Sequence, residues 1–202
     1  MIRLNAHRAF AAASVAAAVL HAAAVLVAGF STPDYLQNQR AISDLGIHGQ
    51  PYDLLINYLG FAVPGGLILL SVLTAGKMQT FSPSPRLGLR CMAGAGVFLI
   101  VAGFYPFPSW IHLTAALLSA LSAAAGIAHF SVYTMKRRYS LILAISGWIV
   151  ALLVLTDAAT WVLAESRGIR IHAFMGLQQR IASFSAFFWF SAFAIASARQ
   201  NR

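Results

Sequence analysis

Long apolar blocks alternate with short polar intervals along the whole chain. Each block is about 20 residues long, which is the length that an α-helix needs to cross a bilayer core of about 30 Å. The predicted spans are Ala9 to Phe30, Leu54 to Thr74, Leu89 to Pro106, Ile111 to Met135, Leu141 to Leu163 and Leu177 to Ala198. The pattern therefore predicts an all-α, polytopic membrane protein in which residues 1–202 form one six-helix transmembrane domain.

Composition agrees with a membrane location. Only 9% of the residues are charged and 59% are hydrophobic, whereas roughly a quarter of the residues of a soluble domain are charged. The net charge of +9 comes from basic residues that stand singly or in small groups at the ends of apolar blocks. That pattern is typical of topology signals and anionic-lipid contacts. We expect membrane lipids, and no nucleic acid, as partners. The sequence does not decide whether the protein forms a homo-oligomer.

The distribution of basic residues predicts the orientation. Most of them lie in the connections on the side of both termini, and the exceptions are Arg40, Arg167, Arg170 and Arg180. By the positive-inside rule both termini are cytoplasmic and the connections after the first, third and fifth spans face outward. The first apolar run is too long for a signal core, which favours an uncleaved helix. We expect a multi-pass protein of a cell membrane, with the bacterial inner membrane as its location.

The longest polar interval runs from Gln37 to Gly46 and carries Arg40, Ser43 and Asp44. Its apolar and polar positions predict a short amphipathic segment that lies across the outer mouth of the bundle, with Asp44 turned inward. We name residues 37–46 the lid segment. The alternative is an ordinary helix cap or turn, which is where Ser, Asp and Gly are most common.

Two ionisable residues fall inside predicted spans. Asp157 lies about 9 Å inside the outer end of the fifth span, where a carboxylate requires a cationic partner, a water-filled cavity or a proton. Arg180 lies about one turn inside the outer end of the sixth span, and its guanidinium can fork onto a carboxylate. We expect Arg180 to contact Asp157 or Asp44. The alternative is an ion pair that only fixes helix packing.

The polar residues of the outer half form one candidate site. Asp44, His112 and Asp157 are the candidate catalytic groups, and a structural, hydrogen-bonded His112 is the alternative for that residue. The candidate ligand-binding residues are Ser43, Asn57, Gln179 and Arg180.

Metal and cofactor sites are not predicted. His48, His112 and His172 could approach Asp44 in the outer connections, but no compact ligand spacing supports a zinc site. His21 and His129 lie at different depths and therefore do not form a haem pair. The single cysteine, Cys91, excludes an internal disulfide.

Small residues predict two features of the packing. Pro64-Gly65-Gly66 removes a helix hydrogen bond in the middle of the second span, which predicts a kink there. In the fourth span, one face carries mainly small side chains that allow close approach of a neighbouring helix. This face is made of His112, Ala115, Ser119, Ser122, Gly126 and His129.

Three motifs resemble those of domain-of-unknown-function family number 998, a group of six-span prokaryotic membrane proteins. They are Ile42 to Gly46 after the first span, Gly103-Phe-Tyr-Pro106 followed by His112, and Gln179-Arg180. The resemblance covers nearly the whole chain and implies the fold and a site, but no reaction. The family pattern often has Glu before the Arg, so Gln179 is a departure that weakens a mechanism based on two acids.

Three functions follow from this sequence. The first is a site that binds, or binds and hydrolyses, a lipid head group or a small anionic molecule. The second is a transporter or proton-coupled carrier, in which Asp157 is the protonatable group and Pro64-Gly65-Gly66 the gate. The third is a non-catalytic membrane scaffold or accessory subunit. A polar layer filled by side chains would favour the third, and an open cavity would favour the first.

Overall fold

The chain folds into a bundle of long helices. The computed structural model describes residues 2–76, 83–137, 140–168 and 173–199. The helices in these ranges are α1 (Ile2–Ser31), α2 (Val63–Gly76), α3 (Pro83–Phe104), α4 (Trp110–Lys136), α5 (Leu141–Arg167) and α6 (Met175–Arg199). A 3₁₀ helix, Ile42–Gly46, lies in the first connection, and a π-helix, Leu55–Ala62, runs directly into α2.

The prediction of six apolar helices of membrane-spanning length is confirmed. Within the described ranges, six helices are long and apolar enough to cross a membrane, if the π-helix and α2 are counted as one span. Their outward faces carry large exposed apolar side chains such as Ile142, Ile149 and Leu152. Such faces suit a lipid environment. The side of the membrane on which the termini lie stays a prediction.

The helices close into a bundle because α1 packs against α6. The hydroxyl of Ser191 donates to the carbonyl of Ser14 across this interface, over 2.9 Å, and the two helices run antiparallel. Both chain ends therefore lie at one end of the bundle, and the lid segment lies at the other. We call that second end the lid end. It also holds the start of α4, the end of α5 and the start of α6.

An aromatic core fills the half of the bundle near the chain ends. Phe130 and Phe193 stack with their ring centroids 4.3 Å apart, and Phe10 meets the edges of Phe190 and Phe193. These phenylalanines are fully buried or nearly so. This half of the bundle is therefore densely packed, and the open space of the bundle lies in the half nearer the lid end.

The α3–α4 interface confirms the predicted small-residue face. The hydroxyl of Ser119 donates to the carbonyl of Ala95 over 2.9 Å, and Gly126 lies against Met92 and the backbone of Gly88. A larger residue at these positions would separate the two helices. The face is a packing surface.

The second span departs from a simple proline kink. Its first part is a π-helix that ends at Ala62, and Pro64 is the second residue of α2, which follows directly. Pro64 has no N–H to offer the carbonyl of Gly60, four residues earlier. Instead, Nδ1 of His21 lies 2.7 Å from that carbonyl oxygen. A neighbouring helix therefore supplies the hydrogen bond that the proline removes.

The fifth helix is longer at the lid end than its predicted span. The prediction ends it at Leu163, but α5 continues to Arg167 and stops at Gly168, whose φ of 61° forms a left-handed cap. Glycine adopts this conformation without a steric penalty. Asp157 consequently lies about 15 Å from the end of α5, deeper than the predicted 9 Å.

Candidate functional site

A cavity of about 440 Å³ opens at the lid end of the bundle. Its walls come from α3, α4 and α5, and the lid segment and the start of α6 complete them. At its rim the side chains of Glu165 and Ser166 are exposed. The volume lies within the range of ligand-binding cavities in proteins. We call it the outer cavity.

Four of the predicted site residues meet in the outer cavity. Ser43 comes from the lid segment, His112 from α4, Asp157 from α5 and Gln179 from α6. The remaining three, Asp44, Asn57 and Arg180, do not line it, and their contacts are described below. The tertiary structure thus divides the predicted site into a cavity wall and a set of residues that hold the lid segment.

His112 is fixed in one orientation and one tautomer. Its Nδ1 lies 2.9 Å from the carbonyl oxygen of Ala102 and 3.1 Å from that of Tyr105. These two carbonyls stand at the end of α3, where helical acceptors lack partners. Because a carbonyl only accepts, Nδ1 carries the proton and Nε2 keeps a lone pair. Nε2 makes no hydrogen bond within the described residues, so the lone pair is available to a molecule in the cavity.

Asp157 places a carboxyl group without a partner in the same cavity. Its Oδ1 is fully buried and receives no hydrogen bond from the described residues. Trp161 lies one turn further along α5 and approaches the carboxyl, but its buried indole N–H does not reach hydrogen-bond geometry. A buried, unpaired acceptor is costly. Asp157 is therefore the group in this cavity that a ligand could stabilise most.

Gln179 and Asn57 attach the 3₁₀ helix of the lid segment to the bundle. The backbone N–H of Ile42 donates to Oε1 of Gln179 over 2.7 Å. At the other end of this short helix, Nδ2 of Asn57 donates to the carbonyl of Gly46 over 2.8 Å. The lid segment is thus held by α6 at its centre and by the π-helix at its end.

Arg180 anchors the lid segment through backbone carbonyls. Its Nη1 donates to the carbonyls of Gln37, Arg40 and Gly176 over 2.7, 3.0 and 2.9 Å, and its Nη2 donates to the hydroxyl of Tyr35 over 2.6 Å. Arg180 is 5% exposed. Burial raises the pKa of the Tyr35 phenol, so the hydroxyl keeps its proton and donates to the carbonyl of Ala41.

The predicted contact between Arg180 and an acid is wrong. Among the described residues, no carboxylate contacts the guanidinium, because carbonyl and phenol oxygens take the donors that it uses. Asp44 is instead paired with Arg40, four residues before it, over 3.2 Å. Asp44 does not line the outer cavity, and its inward orientation stays a prediction.

Three residues of α5 that line the outer cavity and carry polar side-chain atoms are not among the predicted site residues: Trp161, Glu165 and Ser166. Asp157, Trp161 and Glu165 follow one another at four-residue steps and therefore share a face of α5. This spacing is the signal in the sequence that marks the wall. Without the neighbouring helices it does not distinguish a cavity face from a packed face.

A smaller inner cavity of about 170 Å³ lies next to the outer one, and Asp157 and Gln179 line both. His21 forms part of its wall. The sequence gives no indication that this histidine shares a cavity with Asp157. The two residues lie on α1 and α5, which are far apart in the chain, so sequence spacing offers no signal for their proximity.

The histidines considered for zinc do not gather. His48 pairs with Asp53 over 3.5 Å on the exposed loop, whereas His112 lies in the outer cavity. His172 falls outside the described residues. In the part of the chain that the structure describes, no three His, Cys, Asp or Glu side chains form a group that could hold a metal.

Gln179 offers a direct test of the attachment of the lid segment. Gln179→Leu should leave the N–H of Ile42 without an acceptor and lower the free energy of unfolding by about 1–2 kcal/mol. Gln179→Glu keeps a side-chain oxygen and should retain most of the stability. Hydrogen exchange in detergent should show faster exchange of residues 41–46 in the leucine variant than in the glutamate variant. Equal protection in both would contradict this role of Gln179.

The helices and the cavity together define the class: a multi-pass, all-helical membrane protein with a largely apolar cavity, carrying a few polar groups, at one end of its bundle. The family model described as "Protein of unknown function (DUF998)" matches residues 15–196. The chain belongs to this family, and the resemblance seen in its motifs is confirmed. No curated protein and no solved structure matches it.

Proposed function

We propose that the protein binds an amphipathic molecule in the outer cavity and that Asp157 anchors the head group of this molecule. The head group is a cation or an uncharged hydrogen-bond donor, and a primary amine is the simplest example. The observation that supports this best is the buried Oδ1 of Asp157, which receives no hydrogen bond from the described residues. An ammonium or hydroxyl group would supply that partner and offset the cost of burial.

The wall of the outer cavity supports an amphipathic ligand. Apart from its few polar groups it is made of apolar side chains, including Leu113, Leu117 and Val162. Val162 is also exposed on the outward face of α5, so the wall continues into the surface that suits lipid. A hydrocarbon chain can therefore leave the cavity along α5 towards the membrane while its head group stays near Asp157.

The charge of the wall favours a cation or a neutral donor over an anion. Two carboxylates, Asp157 and Glu165, line the outer cavity, and none of its described lining residues is Lys or Arg. The sequence-based expectation of an anionic ligand depends on Arg180, whose guanidinium is directed to the lid segment instead. An anionic head group would meet two acidic side chains and no basic one among the described lining residues.

His112 supplies a second acceptor in this site. Because its Nδ1–H is held by the end of α3, its Nε2 lone pair can accept a hydrogen bond from a hydroxyl or amine. With Asp157, the cavity offers acceptors from both α4 and α5. This arrangement supports binding over the scaffold hypothesis, since a scaffold needs no open space around these groups.

The proposal predicts that Asp157→Asn abolishes the preference for an amine. In thermal-shift measurements in detergent, dodecylamine should stabilise the wild-type protein more than dodecanol, and laurate should have no effect. Loss of the charge-assisted hydrogen bond in Asp157→Asn should weaken dodecylamine binding by about tenfold or more. Because we expect the cavity to face outward, dodecylamine should also stabilise the protein when it is added from outside to proteoliposomes.

A matched control is Asp34→Asn. The substitution removes the same charge at the lid end, but Asp34 is exposed and lines neither cavity. Its backbone has a positive φ of 54°, which asparagine tolerates well. Its response to dodecylamine should equal that of the wild type. Equal weakening in both variants, or a stronger effect of laurate than of dodecylamine, would reject the proposal.

A further inference from the structure

Two of the residues that line the inner cavity each carry a buried polar atom without a hydrogen-bond partner among the described residues. One is Oδ1 of Asp157 and the other is Nε2 of His21, and both atoms are inaccessible to solvent and make no hydrogen bond with the described residues. Both residues line this cavity. Two unpaired buried acceptors around one small cavity call for a molecule that donates to both.

The imidazole of His21 is held firmly in place. Its Nδ1 lies 2.7 Å from the carbonyl oxygen of Gly60 and must therefore carry the proton, which leaves Nε2 with a lone pair. The ring stacks on Phe187, with centroids 4.4 Å apart and planes 19° apart, and Phe184 meets it edge-on. His21 is thus a fixed acceptor rather than a side chain that can turn to find another partner.

We infer that the inner cavity is the head-group site and that the head group carries two donors, an amine for Asp157 and a hydroxyl for His21. This inference rests on the proposed function and narrows its ligand class to long-chain amino alcohols. The molecule enters head first, and its chain runs back through the outer cavity. Asp157, which lines both cavities, stands where the head group meets the chain.

Size and polarity support a compact head group. A volume of about 170 Å³ has room for an amine and a hydroxyl on adjacent carbons. The rest of the wall is largely apolar, with Ile68, Met92 and Phe190 among its members. A head group with many polar groups would leave several of them without partners here.

The experiment compares dodecylamine with the amino alcohol that carries an additional hydroxyl on the carbon next to the amine-bearing one. The wild-type protein in detergent should bind the amino alcohol about tenfold more tightly, because one buried acceptor gains its donor. The test variant is His21→Asn, whose amide N–H can still donate to Gly60 while the acceptor at Nε2 is lost. In this variant the two compounds should bind equally.

The outcomes separate this inference from the proposed function. Asp157→Asn should weaken both compounds and keep the preference for the amino alcohol. If the wild type shows no preference, or if the preference persists in His21→Asn, the inference is overturned, while Asp157-dependent binding of dodecylamine leaves the proposed function intact. If neither compound binds, both ideas fail.

A second measurement does not depend on the folding of a variant. In wild-type protein with ¹⁵N-labelled imidazoles, one Nε2 resonance should shift on addition of the amino alcohol and not on addition of dodecylamine. If no Nε2 resonance shifts in this way, the inference is overturned, because a hydroxyl that donates a hydrogen bond to His21 must perturb the nitrogen that accepts the bond.

Discussion

Replacing Arg180 with alanine is expected to destabilise the protein by about 3 kcal/mol or more. The guanidinium makes four hydrogen bonds, three to backbone carbonyls and one to Tyr35. Without it, the carbonyls of Gln37 and Arg40 lose a charged donor at a position where the chain reverses over the bundle. The midpoint of unfolding in detergent, by heat or by titration with a denaturing detergent, should fall accordingly, and residues 35–46 should lose protection from hydrogen exchange.

Two variants serve as controls for Arg180. Arg180→Lys keeps the charge but not the fork of donors, so it should recover only part of the loss. Arg40→Ala removes a basic residue from the lid segment itself, but its partly exposed pair with Asp44 contributes less than about 1 kcal/mol. Equal destabilisation by Arg40→Ala and Arg180→Ala would show that charge near the lid end matters more than the anchoring hydrogen bonds.

The neighbouring glycines of the second span should respond in opposite ways to the same substitution. A Cβ at Gly65 would lie 2.6 Å from the carbonyl oxygen of Gly96 and 2.9 Å from a side-chain carbon of Ile100. The helices α2 and α3 would have to separate, and we expect Gly65→Ala to cost about 1–3 kcal/mol. A Cβ at Gly66 meets nothing within 4 Å, so Gly66→Ala should be neutral or slightly stabilising because alanine favours a helix.

The pair of variants is its own control, because both change glycine to alanine one residue apart in α2. Unfolding midpoints measured in the same detergent give the comparison. Similar midpoints for the two variants would mean that α2 and α3 do not approach as closely as the contact between Gly65 and Gly96 requires.

The amino-acid sequence by itself determined the spans, since the length and apolar character of a membrane helix are local properties. It also placed Ser43, His112, Asp157 and Gln179 near one end of the bundle, because depth follows from the distance along a helix. The end of α5 was harder to predict, because the exposed turn beyond Leu163 contains Glu165 and Arg167 and is not an apolar block. There the glycine cap, and not hydropathy, ends the helix.

Only the tertiary structure decided which groups are partners. Charge suggested that Arg180 binds an acid, yet a guanidinium can also donate to carbonyl oxygens. The chain reversal in the lid segment supplies two of them. The partners of His21 are likewise set by the tertiary structure. Its Nδ1–H donates to the carbonyl of Gly60, and the residue lines the same cavity as Asp157. Depth and helical face are encoded locally, but a hydrogen-bond partner depends on where distant backbone segments come to lie once the helices have packed.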